Sequence, residues 1–170
     1  MRILGIDPGI ATVGFGIIES DRNRQRLVNC GTINTKPGYS LSDRLSRIYD
    51  DLQELINAFE PHEMAVEELF FNTNITTGIS VAHGRGVILL AGQKAGVRVF
   101  EYTPLQIKLA VAGYGRAQKG QVIHMVKRLL SMKNAPKPDD AADALAIALC
   151  HARSATSLLN IRGDNSCSTI

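Results

Sequence analysis

Two short apolar runs in this sequence each end on a carboxylate. Arg2-Ile3-Leu4-Gly5-Ile6 stops at Asp7, and Met64-Ala65-Val66 stops at Glu67, with Glu68 directly after it. Further along, Pro138-Asp139-Asp140-Ala141-Ala142-Asp143 places more acids at the head of an apolar stretch. An ionised carboxylate at the edge of a core is costly unless it is paired or holds a cation. Some of these acids have plain uses. Asp7 can open the Pro8-Gly9 turn. Asp139, after a proline, reads as a helix N-cap, and Asp140 would favour the helix dipole. Asp143 is harder to place that way. On a helix, Asp140, Asp143, Ala144, Ile147 and Cys150 share one stripe, and the rest of that stripe is apolar. Strand alternation puts Ala65, Glu67 and Leu69 on one face and Met64, Val66 and Glu68 on the other, which leaves open which glutamate faces the others.

Asp7, Glu67, Asp140 and Asp143 together make an all-oxygen donor set suited to hard cations such as Mg²⁺ or Mn²⁺. Two such ions ~3.5–4 Å apart clamp the attacking and leaving oxygens of a phosphodiester. Without metal the acids repel, and each raises its neighbours' pKa. The charge distribution fits this chemistry. The net charge is only +3 with a pI near 8.9, but residues 85–133 hold nine basic residues against Glu101 alone. Among those bases are Arg85, Lys108, Arg116 and Lys119. Residues 41–70 carry eight acids against Arg44 and Arg47. Such a charge asymmetry is either a solvated basic surface or the electrostatic footprint of a nucleic-acid site.

The elements that must position these residues are legible from periodicity. Residues 2–7 and 12–18 predict a hairpin, and 26–35 a third strand, so the chain opens as an antiparallel meander. Residues 40–59 carry Leu41, Leu45, Ile48, Leu52, Leu55, Ile56 and Phe59 at helical spacing. A short strand then delivers Glu67. Residues 78–95 read as a helix rich in small residues, suited to tight packing on a neighbour or on a second subunit. Residues 97–102 predict a strand, 104–112 and 121–132 helices, and 139 to about 155 a final helix. Arg116 and Lys119 fall in the Gly-punctuated loop before residue 121. Residues 1–155 are expected to form the domain and 156–170 a frayed polar tail.

At 170 residues with 45% hydrophobic content, one α/β domain is expected. Cys30, Cys150 and Cys167 match neither a zinc spacing nor a disulfide framework. The absence of a signal-peptide pattern and of a long apolar run then points to the cytoplasm. No Walker-type loop and no GxSxG motif is present, and His62, His83, His124 and His151 show no paired ligand spacing.

The stretches ILGIDPGIATVGFGII, AVEELFFNTN, AHGRGV, VFEYTP and PDDAADALAIA, in this order and spacing, resemble the RuvC-type Holliday junction resolvases of the RNase H-like superfamily. They span residues 1 to about 152. The resemblance implies a five-stranded mixed sheet, first three strands antiparallel, flanked by helices. It implies Asp7, Glu67, Asp140 and Asp143 as catalytic metal ligands, Glu67 rather than Glu68. It makes Phe70 an aromatic that stacks on or wedges between bases, and Lys108 and Lys119 bases near the scissile phosphate. It also implies a homodimer cutting four-way junction DNA symmetrically with Mg²⁺, to leave 5′-phosphate and 3′-hydroxyl ends, in partnership with the RuvA–RuvB branch-migration complex. Three other readings compete. Actin-like ATPases and sugar kinases share the opening hairpin but need two such domains. A YqgF-like RNA-processing nuclease would act on structured RNA. A junction-binding protein without catalysis would not need all four carboxylates.

Overall fold

The computed structural model describes residues 1–21, 24–69 and 75–163. Its sheet has five strands: β1 (Arg2–Asp7), β2 (Thr12–Ser20), β3 (Gln25–Asn34), β4 (Glu63–Glu67) and β5 (Arg98–Tyr102). Their order across the sheet is β3-β2-β1-β4-β5. The first three run antiparallel, as the short turns between them demand, whereas β1–β4 and β4–β5 pair in parallel. A parallel pair needs a crossover. Helix α1 (Leu41–Phe59) supplies the one from the meander to β4, and α2 (Ile75–Lys94) the one from β4 to β5.

Helix α1 starts where the Ser40 hydroxyl accepts a 3.1 Å bond from the Asp43 amide, and it ends at Glu60 before Pro61. It buries Ile48, Leu52 and Ile56. With α2 it covers one sheet face, where Leu4, Ile6, Val13, Ile17, Met64, Val66 and Ile88 form one core. The opposite face carries α3 (Pro104–Ala112), α4 (Lys119–Leu129) and α5 (Asp139–Gly163). There Ile3, Ile18, Ala65, Ile107, Val126 and Leu145 form a second core.

Several element boundaries differ from the sequence reading, three of them at helices around the site. Helix α2 begins at Ile75, not at residue 78. Helix α4 begins at Lys119, because the Gln121 side chain accepts a 2.8 Å bond from the Gln118 amide and closes an earlier turn. Lys119 therefore sits on a helix, not in the preceding loop. Helix α5 runs on to Gly163, past the expected end near residue 155. The apolar stripe read on α5 was also too narrow. From Ala141 to Ala152 every residue except Asp143 is buried, since α5 is enclosed by the sheet below and by α3 and α4 above. A helix apolar all round is a buried helix.

Glycines let α5 lie low on the sheet. A β-carbon at Gly5 would overlap the Ala144 carbonyl oxygen, and one at Gly16 would come within 2.7 Å of the Leu145 nitrogen. Ala144 and Ala148 of α5 face Gly5, and Leu145 faces Gly16. Side-chain height no longer separates the helix from β1 and β2, so backbone meets backbone.

Candidate active site

The parallel β1–β4 pairing ends at Ile6 opposite Val66. Asp7 and Glu67 are the next residues along, so the two strands deliver two carboxylates side by side at one sheet edge. Alternation points both toward α5, since Gly5 and Ala65 of the same parity face that helix. Glu68 takes the other parity, and its amide bonds the Tyr102 carbonyl at 2.9 Å. The open choice between Glu67 and Glu68 thus falls to Glu67 in geometry.

Helix α5 starts directly above this edge. A β-carbon on Gly14, the β2 partner of Asp7, would overlap the Asp140 carbonyl oxygen. Asp143, one turn on, lines a cleft of about 270 Å³ with Glu67, Lys108, Lys119, Ile107 and Ile147. The electrostatics report the crowding. Burial, then Glu67, Asp143 and Asp140, push the Asp7 carboxyl up from 3.8 to about 8, with Lys119 opposing weakly. Burial, then Asp143, push Glu67 up from 4.5 to about 7 against the pull of Lys108. Among the described residues neither Asp7 nor Glu67 forms an ion pair, and the lysines nearby offset the crowding only in part.

The donor set fits a hard divalent cation: carboxylate oxygens only, held close enough to hinder one another's ionisation. Among the described residues, however, no three acidic, histidine or cysteine side chains already converge on one point. Lys119 is part of the reason. Its ammonium lies 2.9 Å from Asp143 and 3.6 Å from Asp139 and draws them toward α4. Asp139, read as an N-cap, thus takes part in this lysine's ion pairing.

The expected DNA-contacting residues divide. Lys108 and Lys119 line the cleft. Arg116 is exposed on the loop between α3 and α4. Arg85 is turned inward instead: its Nε donates to the Glu67 carbonyl at 3.1 Å, and its guanidinium pairs with Glu101. It braces the strand end that carries Glu67, a role that charge counting could not separate from phosphate binding. Phe70 lies outside the described residues.

A mixed sheet in this order, with acids at adjacent strand ends beneath an acidic helix start, defines an RNase H-like nuclease fold. The sequence profile described as "Crossover junction endodeoxyribonuclease RuvC" matches residues 3–151, and the chain belongs to that family of DNA-cleaving hydrolases. A protein of that name from Halothermothrix orenii is 54% identical over 154 residues, covering 91% of this chain and 93% of the relative. The Thermus thermophilus RuvC structure in complex with Holliday junction substrate superposes with a TM-score of 0.88 at 39% identity, covering 92% of this chain and 96% of that one. The yeast mitochondrial Holliday junction resolvase Ydc2 shares the fold at a TM-score of 0.66 and 17% identity, over 95% of this chain and 83% of its own. The family match selects the junction-resolvase reading over the YqgF-like and actin-like ones.

Proposed function

We propose that this protein resolves four-way DNA junctions by metal-dependent hydrolysis of phosphodiesters, with Asp7, Glu67, Asp140 and Asp143 as the ligands. The observation that carries this reading is the adjacency of Asp7 and Glu67 at parallel strand ends beneath the acidic start of α5. These four carboxylates would hold Mg²⁺, two ions per subunit with Mn²⁺ able to substitute, which would supply Lewis-acid activation of a water and charge stabilisation for the departing oxygen. The carboxylates hold the cations: Asp7 and Glu67 are fixed by two adjacent strand ends, while Asp143 exchanges its Lys119 ion pair for the metal. Lys108 of α3 and Lys119 of α4, which both line the cleft, grip the scissile phosphate and offset its charge. Arg116 extends this grip along the backbone, and Arg85 acts from beneath by holding the Glu67 strand end. The attacking water oxygen bonds to phosphorus as the 3′-oxygen leaves, giving 5′-phosphate and 3′-hydroxyl ends. Phe70 stacks at the crossover.

Symmetric resolution of a junction requires a homodimer. The outward stripe of α2 supports one: Ile79 and Leu90 are each 52% exposed, and Gly86 between them has open space above it. A second copy of α2 can approach closely there. Family kinship supports the RuvA–RuvB complex as partner and the cytoplasm as the setting. The test is cleavage of a synthetic mobile junction with Mg²⁺. Asp7→Asn and Asp143→Asn should bind the junction without cutting it. Normal cutting by either would sink the ligand assignment, and preference for structured RNA would redirect the substrate assignment.

A further inference from the structure

One turn beyond the cleft-lining Ile147, α5 carries a buried imidazole that the chemistry above does not use. His151 is 1% exposed, and its Nε2 lies 2.6 Å from Glu63 Oε2, itself on a residue only 5% exposed. Its Nδ1 is 2.7 Å from the Tyr102 hydroxyl. The Arg98 guanidinium donates to the other Glu63 oxygen. The Phe100 ring lies with its centroid 4.5 Å from that of His151. Four side chains from β4, β5 and α5 thus form one hydrogen-bonded chain that runs from the buried His151 and Glu63 out to the exposed Arg98.

We propose that His151 is a positioning residue for the carboxylate site: the Tyr102–His151–Glu63–Arg98 chain sets the axial register of α5 against β4, and so the placing of Asp140 and Asp143 against Glu67 and Asp7. The proposal rests on reading those carboxylates as metal ligands.

The geometry is that of a two-point ruler. Glu63 and Glu67 are four residues apart on β4, on the same face, a span of about 13 Å. Asp140 and His151 are eleven residues apart on α5, close to three full turns, on the same face, a span of about 16 Å. Helix and strand run in opposite directions, so the two acidic ends coincide and the His151–Glu63 pair closes the far end. Between these points Ala144 and Ala148 of α5 lie over Gly5 of β1, and Leu145 over Gly16 of β2; these contacts set how low the helix sits and include no directional side-chain bond along its axis. Directional bonds from a fully buried histidine resist sliding along that axis, because a slip would leave buried polar atoms without partners.

A histidine that merely satisfies the core would affect stability alone, so the test reads metal affinity. Mn²⁺ binding to the metal-free protein, without DNA, is followed by the EPR signal of free Mn²⁺. His151→Ala should weaken binding at least fivefold and raise the half-saturating Mg²⁺ for cleavage by a similar factor, with rate recovered at high Mg²⁺. Junction affinity in EDTA should stay within twofold. His151→Gln places an amide nitrogen and oxygen near the two ring-nitrogen positions and should restore the Mn²⁺ constant to within twofold of the parent. Tyr102→Phe, which keeps the ring, should weaken binding at least threefold and carries the test should His151→Ala not fold. A lowered melting temperature with an unchanged Mn²⁺ constant in His151→Ala, or in Tyr102→Phe where that variant stands in, would overturn the positioning role. Failure of the underlying site reading looks different: Asp7→Asn and Asp143→Asn would then bind Mn²⁺ as the parent protein does.

Discussion

Gly14 lies so close beneath the start of α5 that a β-carbon there would overlap the main-chain carbonyl oxygen of Asp140. This contact ties the opening hairpin to the acidic helix, since Gly14 is also the strand partner of Asp7. Any side chain at position 14 must lift the end of α5 away from Asp7. Gly14→Ala is expected to cost about 3 kcal/mol, a fall in Tm of roughly 6–12 °C. Cleavage by the folded fraction should drop about 100-fold, the order expected for an ~1 Å misplacement of a catalytic group. Gly120→Ala, where the added carbon meets nothing within 4 Å, should leave Tm within about 2 °C. Thermal melting and single-turnover cleavage check both.

Stability without metal should fall as pH rises. The unfolded chain loses the Asp7 proton near 3.8, whereas the folded protein keeps it to about 8. Between those values the native state binds more protons than the unfolded one, so each step upward in pH favours unfolding. The contribution is fully present below about pH 4 and lost by about pH 8; Glu67, pushed to about 7, acts in the same sense. In EDTA, Asp7→Asn should flatten this slope and raise Tm at pH 8 by about 4–8 °C, on the order of 2 kcal/mol. Added Mg²⁺ should recover stability in the parent protein at pH 8 and do little for the variant.

Lys119 should play opposing parts in metal binding and in catalysis. Its ammonium occupies Asp143 at 2.9 Å, where a cation would otherwise be held. Lys119→Met is expected to tighten Mn²⁺ binding severalfold while slowing cleavage 100- to 1000-fold, about 3–4 kcal/mol of lost charge stabilisation at the phosphate. EPR titration and single-turnover rates should therefore move in opposite directions.

The α2 face should govern assembly. Leu90→Arg places a charge in the exposed apolar stripe of α2 and should leave the fold intact. Light scattering is expected to show a monomer, with paired cutting of the junction lost. A dimer of unchanged mass would remove α2 from the interface.

Much of this site was readable from the chain. Apolar runs ending on acids, and the helical stripe from Asp140 to Cys150, mark the four carboxylates before any family is considered, because strand and helix periods fix which residues share a face. The parity of Glu67 against Glu68 was not decidable locally, since it depends on which sheet face α5 covers. The bracing contacts of Arg85 were hidden for a related reason: its partners Glu67 and Glu101 are distant in sequence and meet it only when β4 and β5 pair. The buried network around His151 was invisible too. Glu63 lies 88 residues away, and a lone histidine on an apolar helix carries no local signal.

The most direct measurement is cleavage of a mobile four-way junction in saturating Mg²⁺ by Glu67→Gln and Glu68→Gln side by side. Glu67→Gln should bind the junction normally and cut at least 1000-fold more slowly, while Glu68→Gln cuts within threefold of the parent. Undiminished cutting by Glu67→Gln would contradict the carboxylate site described above.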